Sequence, residues 1–321
     1  MPHLRTRLRA LVVAVMAFAI TLTAAQAAHA SPSSSDLTKQ INAASSQLEV
    51  IVESYNAMNI SLKATEDEQK TLAASLAPAK AALATASAQV DTIAATSYQQ
   101  GRIGPMTALL DADQTSLIDR MSFLDLIQRS NQRDITTYTE TTQTYGERQA
   151  ALKTTQAKQA AQVQELAARR TKIESDIKKL KAMRTTAYGS PTQAGHAYTG
   201  TIPNISGSAG VAVRYAYNAV GSPYQFGASG PKEYDCSGLT MSAWAAAGKS
   251  LPHNAAAQWG VVAHISRSDL LAGDLVFYNN LAHVGIYVGN NQIIDAPREG
   301  EPVDVRSINR GMPIYGYGRV K

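Results

Sequence analysis

The sequence predicts a long antiparallel α-helical hairpin followed by an α+β domain. Glycine is distributed unevenly, because residues 31–187 contain three glycines and residues 188–321 contain 18. The first stretch is rich in Ala, Gln, Lys, Thr and Glu, a composition typical of long helices. The second stretch contains both tryptophans and several short β-rich runs separated by Gly, Asn and Pro, which is typical of a compact domain with turns.

Apolar residues in the first stretch repeat at alternating steps of four and three, which is the spacing of a coiled-coil seam. One stripe consists of Leu72, Leu76, Ala79, Leu83, Ala86, Val90 and Ile93. A second consists of Leu124, Ile127, Tyr138, Tyr145, Leu152, Leu166, Ile173, Ile177 and Leu180. Two helices of similar length joined in the middle predict a coiled-coil hairpin over residues 31–187. The join, at about residues 98–127, is crowded with apolar side chains, so it is either a cap that closes the hairpin or a docking surface for a partner.

The N-terminus and the charge balance restrict location and partners. Residues 1–30 have a basic start, an apolar core and small residues before Ser31, the pattern of a cleaved secretory signal peptide. An uncleaved anchor is the alternative, but the apolar run is short for a span of about 20 residues. Cleavage removes three arginines and leaves 27 basic residues against 25 acidic ones. We therefore expect a secreted protein with no nucleic-acid partner.

Residues 188–208 separate the two halves. They lack periodicity and are rich in Gly, Ser, Thr and Pro, so we interpret them as a flexible linker that leaves His196 exposed. The domain that follows, residues 209–321, begins with two helical patterns, VAVRYAYNAVG and LTMSAWAAAG. The strand-like runs GDLVFY, HVGIYVG, QIIDAP, VDVRSI and IYGYGRV come after them. Helices followed by a run of antiparallel strands indicate an α+β domain.

Cys236 is the only cysteine in the chain. Exported proteins usually use cysteines in pairs, so a single one is a buried inert thiol, an intermolecular bridge or a nucleophile. Cys236 lies at the predicted start of a helix, between Asp235 and Ser237. Unsatisfied N–H groups and the positive end of the helix dipole stabilise a thiolate there and could hold an oxyanion. We therefore interpret Cys236 as a nucleophile.

A cysteine nucleophile needs a base and a group that orients the base. His283 begins one strand-like run and Asp295 ends the next, with a turn at residues 289–291 between them. Two adjacent antiparallel strands would bring His283 and Asp295 side by side. We interpret His253 and His264 as surface or groove residues. No histidine pair has metal-ligand spacing and there is no second cysteine, so we predict neither a metal nor a cofactor.

These residues resemble the NlpC-type cell-wall endopeptidase family, which has a papain-like fold. The resemblance covers about residues 209–321 and rests on SPYQFGASGPKEYDCSGL, LPHNAAAQW, GDLVFY and AHVGIYVGNNQIIDAP, in the order of the family. It implies a cysteine endopeptidase that cleaves peptidoglycan stem peptides between D-glutamate and the following diamino acid. Cys236 is then the nucleophile and His283 the general base. Asp295 takes the third triad position, where family members often have histidine.

The resemblance implies further roles around the triad. Tyr224 corresponds to a tyrosine beside the nucleophile, near the oxyanion, and Asp235 and Ser237 fall where the family contacts the stem peptide. The sequence departs from the family pattern in two places. Ala228 replaces the second glycine of the PYxxGG block, and His253-Asn254 replaces the usual Arg-Thr/Ser in the groove, a change that bears on substrate choice.

The helical half resembles the coiled-coil arms of exported, division-associated hydrolases and their activators, mainly over residues 98–127. That resemblance implies coupling to the FtsE–FtsX membrane complex and a role in cell-wall remodelling and daughter-cell separation. A long hairpin on a linker could also fold over the active site and inhibit it, in which case residues 209–321 alone would be more active than the mature chain. Two other functions stay open, a non-catalytic coiled-coil scaffold or activator and an amidase acting on the same wall peptides.

Overall fold

A computed structural model of the protein describes residues 34–100 and 117–321. The predicted signal peptide, residues 1–30, lies outside the described residues, and so does most of the predicted insert at about residues 98–127. The helical half consists of α1 (Ser34–Gln100) and α2 (Leu117–Tyr188). In the part of the chain that is described, no helix has an apolar stretch long enough to cross a membrane.

The two long helices pack against each other in antiparallel orientation. Tyr188 at the end of α2 donates a hydrogen bond to Thr38 near the start of α1, whereas Arg148 in the middle of α2 bonds the carbonyl of Ser75 far along α1. The predicted seam is confirmed except at Ile127, which is 41% exposed, because its other residues form the buried or half-buried side of each helix. Its buried members are Ala79, Ala86, Leu166, Ile173 and Leu180, and Leu48 and Val52 earlier on α1 are buried as well. Helix α1 continues through Pro78.

The C-terminal half is the predicted α+β domain. Its helices are α3 (Gly207–Ala219), α4 (Cys236–Ala246) and α5 (Ala255–Val261). Its strands are β1 (Ala263–Ile265), β2 (Leu275–Tyr278), β3 (His283–Gly289), β4 (Gln292–Asp295), β5 (Asp304–Ser307) and β6 (Ile314–Arg319). The strands form one antiparallel sheet in the order β1-β6-β2-β3-β4-β5.

Both faces of the central strands are covered, which explains why those strands are continuous apolar runs. On one face, Phe277 and Ile286 belong to the main core, which includes the inner sides of α3 and α4. On the other face, Val276 and Ile293 form a smaller cluster with Ile308. Helix α4 packs directly on β3. The first residue of α4 is Cys236 and the first residue of β3 is His283, so this packing brings the two candidate catalytic residues to one end of the helix–sheet interface.

The segment between α2 and α3 has no helix or strand, as predicted. It nevertheless contacts the domain, because the Gln193 N–H donates to the Gly300 carbonyl at 2.8 Å and Ile202 and Ile205 pack against the main core. His196 is exposed, as predicted. The flexibility of this segment stays a prediction.

Candidate active site

The start of α4 is built around Cys236, whose exposed fraction is 2%. The preceding residue, Asp235, caps the helix, because its Oδ1 accepts a hydrogen bond from the Gly238 N–H at 2.7 Å. A Cβ atom at position 238 would lie 2.2 Å from the Ala228 carbonyl oxygen. Only glycine fits at position 238, so Gly238 allows α4 to begin at Cys236.

The predicted pair of His283 and Asp295 is present. Strands β3 and β4 are neighbours, and Nε2 of His283 lies 2.7 Å from Oδ2 of Asp295, with both side chains fully buried. Gly285 allows this approach, since a Cβ atom there would lie 3.1 Å from the Asp295 Cβ. A carboxylate can only accept, so Nε2 carries the hydrogen and Nδ1 keeps the free lone pair. Nδ1 is buried and has no hydrogen-bond partner in the described structure.

Two further features place Cys236 beside this pair. Cys236 belongs to the same buried core as Val284, the residue that follows His283. Tyr224 is buried near the thiol, and its pKa is raised well above the usual range by burial and then by the charge of Cys236. The structure therefore brings together Cys236, His283, Asp295 and Tyr224, as the sequence predicted. Their chemical roles stay predictions.

Arginine side chains surround Asp295, and the sequence analysis missed them. Nη1 of Arg310 contacts Asp295 Oδ2 and lies 3.1 Å from Nε2 of His283, while Nε of Arg306 lies 3.6 Å from Asp295 Oδ1. Burial lowers the pKa of His283 well below its usual range, and the charges of Arg310, Arg306 and Arg298 lower it further. His283 is therefore neutral in this structure.

Glu53, a residue of α1 that reaches into the site, was not predicted from the sequence either. Its Oε1 accepts a hydrogen bond from the Ser237 hydroxyl at 2.7 Å and lies 3.5 Å from the Cys236 sulfur. Its Oε2 accepts from the Ala255 N–H at 2.6 Å and from Nδ2 of Asn254 at 2.8 Å. One carboxylate from the helical half thus lies directly against the candidate nucleophile.

Residues of α1 on both sides of Glu53 also contact the domain, so α1 lies along the cleft. Toward one end, Nδ2 of Asn56 donates to Asp235 Oδ2 at 3.1 Å. Toward the other end, Oδ1 of Asn42 accepts from Arg298 at 3.0 Å. Asp235 and Ser237, the predicted substrate-binding residues, are completely buried beneath this helix. This arrangement, with α1 covering Cys236, is hereafter the closed form.

The end of α2 attaches to the same domain. Arg184 is 2% exposed and donates to the carbonyls of Pro191 and Gly300, both at 3.0 Å. Nζ of Lys181 lies 3.0 Å from the buried carboxylate of Glu299. Both helices of the hairpin therefore hold the loop that follows Asp295.

Burial controls protonation throughout the closed form. It raises the pKa of Glu53 to about 7, and the nearby charge of Asp235 acts in the same direction. Glu49, one turn earlier on α1, has its pKa raised to about 8 by burial, which the charges of Arg310 and Arg298 only partly offset. The pKa of the Cys236 thiol is raised well above its usual range by burial and then by the charges of Glu53 and Asp235. The thiol is therefore protonated in the closed form.

The second departure from the family pattern, His253-Asn254, contacts Asp235 and Glu53. Nε2 of His253 lies 2.8 Å from Asp235 Oδ1, and this bond raises the pKa of His253 although burial acts against it. The Asn254 side chain accepts from the Ala257 N–H at 2.8 Å and so caps α5. His264 stacks on Trp259, away from the site. Within the described ranges, no group of His, Cys, Asp and Glu side chains is arranged to hold a metal ion.

Comparison with protein families decides the identity of the C-terminal domain. Residues 221–320 match the NlpC/P60 family. These residues form an NlpC/P60 domain. A probable endopeptidase p60 of Listeria grayi is 43% identical over 105 residues, which cover 32% of this chain and 20% of that protein. A probable endopeptidase of Corynebacterium glutamicum is 39% identical over 135 residues, which cover 42% of this chain and 63% of that protein. The chain thus spans less than two thirds of the curated relatives it matches.

Two solved structures are similar to the NlpC/P60 domain. The peptidoglycan hydrolase RipB of Mycobacterium tuberculosis is 27% identical, with a TM-score of 0.32 and coverage of 35% of this chain and 64% of that one. The P60 domain of an antigen of Mycobacterium avium subspecies paratuberculosis is also 27% identical, with a TM-score of 0.32 and coverage of 35% and 94%. The NlpC/P60 domain contains Cys236, His283 and Asp295, whereas Glu53 lies outside it.

Proposed function

We propose that the protein is a secreted peptidoglycan hydrolase whose NlpC/P60 domain is a cysteine endopeptidase. Its substrates are stem peptides, cleaved between D-glutamate and the following diamino acid. The observation that carries the proposal is the position of the only cysteine, at the start of α4 and beside the buried His283–Asp295 pair. The names of the relatives, which are probable endopeptidases, agree with this chemistry.

The proposed reaction uses the groups already described. Nδ1 of His283, which has the free lone pair, accepts the thiol proton, and the thiolate of Cys236 attacks the peptide carbonyl. N–H groups at the start of α4, with the Tyr224 hydroxyl beside them, stabilise the oxyanion. The imidazolium, held by Asp295, then protonates the leaving amine. Water activated by His283 hydrolyses the resulting thioester and restores the thiol.

In this proposal the hairpin keeps the enzyme inactive until it is displaced. Glu53 binds the donors around Cys236 that a substrate would otherwise reach, and α1 covers the cleft from Asn42 to Asn56. The closed form also keeps the thiol protonated. Hydrolysis therefore requires α1 to leave the domain, which makes the coiled coil the regulatory element.

The cellular setting belongs to the same proposal. Residues 1–30 have the pattern of a signal peptide, which supports a location outside the cell, at the wall. The coiled coil resembles the arms of division-associated hydrolases, which supports coupling to an FtsE–FtsX-type membrane complex during daughter-cell separation. Near the start of α2, Met121, Phe123 and Leu126 are 58%, 62% and 60% exposed. An apolar surface at this end of the hairpin is suited to docking a partner.

The test compares full-length variants on defined muropeptides, with products identified by mass spectrometry. Glu53→Arg puts a larger, cationic side chain where three hydrogen-bond donors converge, so closure weakens and cleavage after D-glutamate accelerates by at least about tenfold. Glu68→Arg is the matched control, because Glu68 is exposed on the same helix, and its rate stays at that of the parent. Adding Cys236→Ala to Glu53→Arg abolishes cleavage and leaves the circular dichroism spectrum unchanged.

The products also separate the alternatives. Cleavage that survives Cys236→Ala contradicts the cysteine mechanism. A product cut between the glycan and the stem peptide supports the amidase. If no variant releases a product from any muropeptide, the coiled-coil scaffold is the better function.

A further inference from the structure

The carboxylate of Asp295 is shared by two donors. Its Oδ2 accepts from Nε2 of His283 and forms an ion pair with Nη1 of Arg310, and these two nitrogens are 3.1 Å apart. When the imidazole carries its hydrogen on Nε2, both nitrogens are donors. They therefore both interact with the carboxylate of Asp295 and do not hydrogen bond to each other. The other oxygen, Oδ1, faces Arg306 at 3.6 Å. Asp295 is completely buried.

A carboxyl group buried to this extent takes up a proton unless charged partners compensate. A protonated Asp295 would donate to Nε2 of His283 and force the hydrogen of the neutral imidazole onto Nδ1. The lone pair that accepts the thiol proton would then be lost. A guanidinium cannot give up its charge in proteins, so Arg310 keeps Asp295 an acceptor.

The surroundings of His283 contain several other charges. Arg306 and Arg298 approach from the domain itself, and each is paired with Glu301. Burial lowers the pKa of Arg310, and the charges of Glu49, on α1, and of Cys236 act against this effect. Of the triad residues, Arg306 contacts Asp295 alone, whereas Arg310, whose side chain is 10% exposed, contacts both Asp295 and His283.

We infer that Arg310 is a positioning residue of the catalytic triad, which acts through Asp295 to keep the Nδ1 lone pair of His283 available to Cys236. The inference rests on the proposed function and adds a fourth residue to its machinery. Removing a cation from beside the coupled Cys236–His283 pair raises both of the pair's apparent pKa values. Loss of Arg310 therefore moves the reactivity of Cys236 to higher pH.

The experiment measures Cys236 alkylation by iodoacetamide as a function of pH. Cys236 is the only cysteine, so the reaction reports on this site alone and needs no substrate. All variants are made in full-length Glu53→Arg protein, in which the thiol is uncovered. Arg310→Met moves the midpoint of the profile upward by about one pH unit or more. Arg310→Lys keeps a positive charge and stays within about half a unit of the parent.

Two controls separate positioning from folding. Arg319→Met removes an arginine that pairs with Asp274, away from the site, and leaves the profile unchanged. Arg306→Gln, at a more exposed position, shifts the profile in the same direction by a smaller amount, and it serves as the test if Arg310→Met does not fold. Profiles of Arg310→Met and Arg306→Gln that superimpose on the parent profile overturn the inference. The inference is also overturned if Arg310→Met lowers reactivity equally at all pH values and Arg310→Lys does not restore it.

Muropeptide hydrolysis is measured separately on the same proteins. A shifted alkylation profile without hydrolysis in any variant retains the role of Arg310 and rejects the endopeptidase. Hydrolysis together with unshifted alkylation profiles supports the endopeptidase and rejects the role of Arg310.

Discussion

Glu49 and Glu53 are one helical turn apart on α1, and both face the NlpC/P60 domain. Glu53 strengthens the contact of α1 with this domain, whereas Glu49 weakens it. Glu53 accepts hydrogen bonds from Ser237, Asn254 and Ala255. Glu49 is 2% exposed, and neither of its carboxyl oxygens has a hydrogen-bond partner in the described structure. Leaving a buried polar group without a partner costs about 1–3 kcal/mol. Glu49 therefore limits how tightly α1 closes.

Replacing Glu49 with methionine should strengthen closure. The change removes the unpartnered carboxyl group and keeps an unbranched side chain of similar length. We expect Cys236 in the full chain to react with iodoacetamide about five- to tenfold more slowly, a change of about 1–1.4 kcal/mol in the closing equilibrium. Glu68→Met, at an exposed position on the same helix, should leave the rate unchanged. Faster alkylation of Glu49→Met would mean that Glu49 holds α1 in place through Arg310.

The juxtaposition of the candidate catalytic residues could be predicted from the sequence because each has a local signal. Cys236 stands alone at a helix start, and His283 and Asp295 sit at matching ends of two adjacent strands. Glu53 and Arg310 have no such signal, because charged residues on helices and in loops usually face solvent. The one available clue was a polar stripe of Ser45, Glu49, Glu53 and Asn56, spaced by four, four and three residues beside the apolar seam. All four are buried against the rest of the protein.

Long elements with regular periodicity were predictable, and short or irregular ones were not. The heptad stripes identified both helices of the hairpin, and the apolar runs identified five of the six strands. Strand β1 was missed because it has three residues and only half-buried or exposed side chains. The attachment of α2 to the loop after Asp295 was also missed, since it depends on Arg184, a basic residue near a helix end.

Helix α2 should lose its attachment when Arg184 is replaced. Arg184→Ala removes the two hydrogen bonds that the buried guanidinium donates to the carbonyls of Pro191 and Gly300, at a cost of about 1–3 kcal/mol. We expect a lower melting temperature and faster Cys236 alkylation. Arg170→Ala is the matched control, because Arg170 is an exposed residue of the same helix that pairs with Glu174, and its loss should cost under about 0.5 kcal/mol. Equal effects of the two substitutions would exclude Arg184 as the attachment point.

At the scale of the whole molecule, closure is coupled to proton uptake. Both glutamates have an ordinary pKa of 4.5, and closure raises it to about 8 for Glu49 and about 7 for Glu53. A group with a higher pKa in the closed form holds its proton more tightly there. Closure is therefore most stable below pH 4.5 and weakens as the pH rises, until both groups are ionised above about pH 8.

Alkylation of Cys236 can measure this dependence. The rate for the parent protein, divided by the rate for Glu53→Arg, cancels the titration of the thiol and reports the open fraction. We expect this ratio to increase at least about tenfold between about pH 6 and pH 8.5. The double variant Glu49→Gln/Glu53→Gln cannot ionise at either position, so its ratio should be nearly flat. A parent ratio that falls with rising pH would show that other groups control closure.

The burial of Cys236 has a further consequence, for the chemical lifetime of the protein. Oxidation of a cysteine to sulfenic acid and beyond depends on its thiolate character and its access to oxidant. In the closed form the thiol is protonated, 2% exposed and covered by Glu53, so it meets neither condition. If the protein is secreted as proposed, the closed form preserves its single sulfur in reduced form in oxidising surroundings. In the proposed function, the helix that prevents untimely cleavage would then also keep the stored enzyme usable.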